Sequence, residues 1–139
     1  MSIKQILTKI LGYIYPTYIP YVPTVTATVT GFTANNINFT HYRIGRLLII
    51  NGRFQVTAVD KTKAGFVRIS LPTGLEAVNS GVGACGYITH GTQGPLNLSL
   101  RCDGGSDYFI QSNAGGYSTT VMNTGYYMLN AFLILGEGA

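Results

Sequence analysis

Two histidines, His41 and His90, are the only imidazoles in the 139-residue chain, so a serine or cysteine nucleophile would have to be activated by one of them. His41 falls in the alternating run Phe39-Thr40-His41-Tyr42-Arg43 and His90 in the Gly-rich turn Thr89-His-Gly-Thr-Gln; each reads as a solvent-facing structural histidine. Cys85, His90 and Cys102 with His41 have the chemistry of a zinc site, yet no close C-x-x-C pair supports one, and neither metal nor cofactor is expected. Asp103 and Asp107, in Asp-Gly-Gly-Ser-Asp, are the only close carboxylate pair. A glycosidase needs two carboxyl groups about 5 to 9.5 Å apart, and a calcium loop needs alternating oxygen ligands and a distal glutamate that are lacking here. Turn formation is therefore the reading of these aspartates, and no catalytic residue is assigned. What remains is carbohydrate recognition. Aromatic rings stack on sugar faces and carboxylates accept from hydroxyls, which makes Asp103, Asp107, Tyr108, Asn113 and Tyr117 the candidate glycan-binding residues.

The elements that would position these residues are strands. The hydrophobic fraction is 46% and the charged fraction 10%, against roughly 25% charged in ordinary soluble domains; such a chain has more apolar surface than a monomer readily hides. Eighteen glycines and ten tyrosines, with many threonines and asparagines, favour short strands and tight turns. Nine basic residues against five acidic ones give a net charge of +4, but the bases are scattered from Lys4 to Arg101. Nucleic-acid binding, which needs a dense basic stripe, is not expected. No apolar run reaches the roughly 18 to 20 residues of a membrane span, and no secretory signal is expected. Cys85 and Cys102 read as small buried hydrophobes made in a reducing compartment, with a disulfide open to them if their strands are neighbours.

Along the chain, Ile3, Ile6, Leu7, Ile10, Leu11 and Ile14 recur at helical spacing over residues 2–14, with Ser2 placed to cap and Lys4 and Lys9 on the polar side. A helix this short is marginal alone. Its stripe can dock on its own core, self-associate around a symmetry axis through Ile3, Ile6, Ile10 and Tyr13, insert into a larger assembly, or lie on a membrane surface. Prolines 16, 20 and 23 then end the helix and stiffen an extended arm carrying Tyr15, Tyr18 and Tyr21. Period-two alternation begins at Thr24 and returns in 54–58, 66–71, 82–88 and 96–102, with further strands expected at 37–45, 108–110 and 117–122. Leu47 to Ile50 is a continuous apolar run that suggests a strand covered on both faces, and a turn or bulge is expected at Asn51-Gly52. Residues 125–135 read as a strand apolar on both faces, as in the middle of a sandwich or a subunit interface. About eight or nine strands at the spacing expected of sandwiches and barrels indicate an all-β protein, and with no helix between them a parallel βαβ sheet is not expected. Residues 1–24 form the helix and attachment arm, and 25–139 form the β domain.

The stretch from Tyr42 carries a resemblance. Tyr42, Gly45, Leu47 to Ile50, Gly52, Phe54, Val56, Ile69, Leu71, Pro72 and Gly74 follow a pattern similar to that of small bacteriophage virion proteins and tail-fibre tip domains, over about residues 21–136. The resemblance implies a compact, jelly-roll-like β-sandwich, often trimeric, displayed on a phage particle as a fibre tip, head fibre or decoration, with host-surface glycan recognition in receptor-binding members. A long fibre shaft is missing here. A short helix and proline arm stand in its place, which favours a small protein plugged into a larger virion component. The expectation is a non-enzymatic virion protein made in the host cytoplasm, a homotrimer attached to other virion proteins through Ile3, Ile6, Leu7, Ile10, Tyr13, Tyr15, Tyr18 and Tyr21. A capsid decoration protein and a small glycan-active enzyme are the alternatives.

Overall fold

The structure, a computed structural model, describes residues 2–14, 18–78, 84–91, 98–113 and 116–136. One helix, α1 (Ile3–Ile14), precedes nine strands: β1 (Ile19–Tyr21), β2 (Val25–Ala27), β3 (Thr33–Ile44), β4 (Leu47–Ala58), β5 (Val67–Ser70), β6 (Ala84–His90), β7 (Leu98–Arg101), β8 (Tyr108–Asn113) and β9 (Gly125–Ile134). All pairings are antiparallel, and hydrogen bonding runs through a single sheet in the order β1-β3-β4-β9-β6-β7-β8-β5-β2. The chain is thus an all-β antiparallel protein with one short helix.

Strand order dictates curvature. β1 and β2 are the two outer edges of the sheet, yet only Val22, Pro23 and Thr24 separate them in sequence. A link of that length spans no more than about 3.6 Å per residue, so the sheet rolls over until its edges meet. Ser70 on β5 fastens the closure: its N–H donates to the Thr24 carbonyl (3.1 Å), its Oγ accepts from the Thr24 N–H (2.9 Å), and its carbonyl accepts from the Tyr21 hydroxyl (3.3 Å). Of the proline-rich segment expected as an arm, residues 19–21 are therefore an edge strand. Pro20 is tolerated there because an edge position can do without its amide donor.

Inside the roll lies one apolar cluster drawn from β2 to β9, including Phe39, Leu48, Ile50, Phe54, Val67, Ile69, Leu100, Phe109, Tyr127, Leu129 and Leu133. Phe54 and Tyr127 stack at 5.6 Å between centroids, and the Tyr127 hydroxyl donates to the Asn123 carbonyl (2.8 Å) and accepts from its N–H (3.1 Å). Burial pushes that phenol up to about 12.

Two local expectations are corrected. Asn51-Gly52 is neither turn nor bulge: β4 runs straight through it, and the β3–β4 turn is Gly45-Arg46, with Gly45 at φ 60°. Gly52 is required for another reason, since a Cβ there would lie 2.3 Å from Cγ of Phe39, whose ring covers the gap. The bulge sits on β3 between Asn35 and Asn38, where Asn36 takes φ 49° and its amide donates to Gln55 Oε1 (2.6 Å). Residues 117–122 form a loop, not a strand. Ser118 and Thr119 are buried, and their hydroxyls and amides bond to the backbone of residues 63–67, replacing the ladder a strand would have made.

At the amino end, Ser2 and Gln5 form a reciprocal capping box: the Gln5 N–H donates to Ser2 Oγ (3.1 Å) and the Ser2 N–H to Gln5 Oε1 (2.8 Å). The helix leans on β3, yet Ile3, Ile6, Leu7 and Ile10 are all exposed, Ile3 at 77%. No helix among the described residues is long and apolar enough to cross a membrane.

Candidate functional site

His41 is buried, not solvent-facing: its residue exposure is 8% and its Nδ1 has no hydrogen-bond partner. It faces inward from β3, edge-on to Tyr21 and opposite Ile50. Burial, and secondarily the Arg43 charge, hold its pKa below the usual histidine range. His90 lies on β6 with Nε2 2.9 Å from the Thr124 carbonyl and its ring edge-on to Tyr127. Each imidazole is thus built into packing. Cys102 is a free, buried thiol pushed up to about 11, first by burial and then by Asp103 and Asp107. It is protonated at neutral pH and too hindered to act as a nucleophile. The side chain of Cys85 lies outside the described residues. Among the described residues, no three His, Cys, Asp or Glu side chains gather in a way that could hold a metal.

The five glycan candidates divide between the two ends of β8. Asp103 and Asp107 are exposed in the β7–β8 turn, next to Tyr108 at the start of β8. Asn113 ends that strand, about 17 Å further along at 3.4 Å per residue, and bridges to Gly116 beside Tyr117. They do not form one cluster. What lies between them went unnoticed in sequence reading: the outward positions of β5, β8 and β7. Register sets Arg68 opposite Ile110 and Ile110 opposite Arg101. The Arg68 guanidinium lies 4.9 Å from the Tyr108 ring centroid and that of Arg101 5.8 Å from Phe66, while Phe66 packs against Tyr117 at 5.2 Å. Arg101 Nε is 3.5 Å from Asp103 Oδ1, an ion pair that lacks hydrogen-bond geometry. An arginine–aromatic platform therefore joins Tyr108 to Tyr117. The signal available in sequence was parity: if Val67 and Ile69 face inward, Phe66 and Arg68 face out.

The opposite half of the outer surface is apolar. Across β4 and β9, Leu47 faces Ile134, Ile49 faces Phe132, Arg53 faces Met128 and Gln55 faces Tyr126; across β3 and β4, Tyr42 faces Ile49 and Ile44 faces Leu47. Ile44, Tyr126, Met128, Phe132 and Ile134 are exposed, Phe132 at 62%. Ile44, Leu47, Ile49, Phe132 and Ile134 adjoin at one end of this face, and the polar pair Asn51 and Asn130 separates them from Met128 and Tyr126; exposed apolar clusters of this kind mark interaction surfaces when they are large. Of the proposed attachment residues, Ile3, Ile6, Leu7 and Ile10 are free on the helix and Tyr18 is exposed against Tyr42 (4.6 Å). Tyr21 is instead packed on Phe39 and His41, and its phenol is raised by burial. The side chain of Tyr13, and Tyr15 altogether, lie outside the described residues. The outer surface thus has two unlike parts, one largely apolar around β4 and β9 and one of arginines and aromatic rings around β5, β7 and β8. No protein-family model, no curated protein and no solved structure matches the chain.

Proposed function

We propose that this chain is a non-enzymatic structural protein of a bacteriophage virion, a homotrimeric module of the fibre or receptor-binding type that engages host-surface glycan. The observation that carries the reading is the uneven outer surface: β3, β4 and β9 expose Ile44, Met128, Phe132 and Ile134, with one arginine, Arg53, over Tyr126, while β5, β7 and β8 present two neighbouring arginines over aromatic rings around Ile110. A monomer gains nothing from an exposed Phe132, whereas an assembled protein buries it. In this reading the rolled sheet serves as a jelly-roll-like sandwich. The exposed stripe of α1, with the arm through Tyr18, attaches it to other virion proteins, and the residue pattern around Tyr42 to Gly74 supports membership of the virion class.

Solution mass tests the assembly: a trimer is expected, and a stable monomer at micromolar concentration overturns it. Deleting residues 2–14 separates attachment from folding; the truncated protein should fold and fail to join particles. The capsid-decoration reading is favoured by the breadth of the apolar half, which could lie flat on a shell. Binding of the purified protein to host cells, or its blocking of infection, supports recognition, and absence of both points to decoration.

A further inference from the structure

The two outward arginines of the second half are arranged for an anion. Strands lie about 4.8 Å apart, so the Cα atoms of Arg68 and Arg101, two strands removed, are about 10 Å apart. Between them Ile110 points outward yet is only 8% exposed, as expected where two long stems close over it. Each guanidinium carbon lies within reach of a ring face, Arg68 at 4.9 Å and Arg101 at 5.8 Å. A guanidinium edge grips a planar oxyanion with two donors at a time, and since Nε of Arg101 is buried, its terminal nitrogens are the donors that could do so. Among the described residues no acid forms an ion pair with Arg68, and Arg101 is shared with Asp103 through one loose contact. The chain of rings continues from Arg101 over Phe66 to Tyr117, whose half-exposed face is open at the rim. A neutral sugar would leave the arginine pair without a partner. A nucleic-acid backbone would meet two cations flanked by Asp103 and Asp107, too few and too acidic a setting for a polyphosphate.

We propose that the Arg68–Arg101 platform binds an acidic saccharide, its carboxylate or sulfate held by the two guanidiniums and a neighbouring pyranose ring packed on Tyr117. This rests on the glycan-recognition reading and names the class of glycan. Asp103 then acts as an internal competitor for Arg101 and not as a ligand for sugar hydroxyls.

The test is calorimetric titration of the full-length protein with a galacturonic acid hexamer, a heparin hexasaccharide and a neutral galactose hexamer. At least one acidic probe should bind and the neutral one should not. Arg68→Ala and Arg101→Ala should each weaken binding about 10- to 100-fold, the range for losing a charge-assisted pair. Asp103→Asn should tighten it severalfold. Arg53→Ala removes the same charge from the other half, where Arg53 lies over Tyr126, and should leave the affinity for the acidic probes unchanged. An equal loss in Arg53→Ala, equal binding of the neutral hexamer, tighter binding of a deoxythymidine dodecamer, or failure of both acidic probes overturns the proposal. Host-cell adhesion measured in parallel separates the two levels. Adhesion that persists in Arg68→Ala and is not competed by acidic hexamers sinks the acidic-saccharide assignment alone, whereas absence of adhesion sinks the glycan reading beneath it.

Discussion

Phe132→Ser probes the apolar half at its most exposed point. Phe132 sits opposite Ile49 on the outer face of β9 and is 62% exposed. A phenylalanine buries about 150 to 250 Å² when fully enclosed, so roughly 120 Å² of this ring is left for a partner to cover. At about 25 cal/mol/Å² that is about 3 kcal/mol per ring, or about a hundredfold in an association constant at 1.4 kcal/mol per decade. Within the isolated chain the part of the ring already covered is roughly 80 Å², so its loss should cost folding stability about 2 kcal/mol or less on the same scale. Sedimentation equilibrium across micromolar concentrations reads the association, and urea unfolding at the dilute, dissociated end reads the fold. The expected result is a trimer that dissociates at about a thousandfold higher concentration in the variant, because all three rings are lost and a trimer's midpoint varies as the square root of its dissociation constant, with separated chains that still fold cooperatively. A wild type that stays monomeric throughout, or a variant that assembles as tightly as wild type, refutes the reasoning.

Tyr127→Phe keeps the stack on Phe54 but strands the N–H and carbonyl of Asn123; urea unfolding should show a loss of about 1 to 3 kcal/mol. Gly86→Ala should be worse, about 3 kcal/mol by the same assay, because a Cβ there meets the Asn130 carbonyl oxygen at 2.3 Å and pushes β6 off β9. His41 titrates below its unfolded value, so its contribution is fully present above about pH 6.5 and is lost as pH falls from there through the lowered folded pKa. Thermal melts should therefore drop as pH falls below about 6.5, and His41→Phe should flatten the upper part of that limb; a parallel drop in the variant would exclude His41 as the cause. Cys102 has the opposite sign: its folded pKa of about 11 exceeds the unfolded value, so stability present below about pH 9 declines as pH rises towards 11, and Cys102→Ala should remove that component.

Much of the strand inventory was legible because alternation is a local signal. Leu98 and Leu100 on β7, Val67 and Ile69 on β5, and the whole of β9 face as period two requires. The errors came where a side chain far along the chain decides the outcome. Asn51-Gly52 carries turn chemistry, but the Phe39 ring across the hairpin turns Gly52 into a packing site. The Tyr117–Met122 run has strand-like residues, but Ser118 and Thr119 satisfy the backbone of residues 63–67 instead. His41 reads as a polar residue on an alternating strand, and only the closure of β1 over β3 buries it against Tyr21.

The sequence by itself determined the all-β class, the capped amphipathic helix, and the existence of an apolar second face on β9, because composition and periodicity act within a few residues. Tertiary structure decided what those features mean. Rolling the sheet until residues 22–24 could join its edges placed β5, β8 and β7 side by side, so that Arg68 and Arg101, thirty-three positions apart in the sequence, flank one isoleucine. The same folding divided the five proposed glycan residues between the ends of β8 and left Phe132 in solvent. Strand neighbours are set by closure of the whole sheet, a property no single segment encodes.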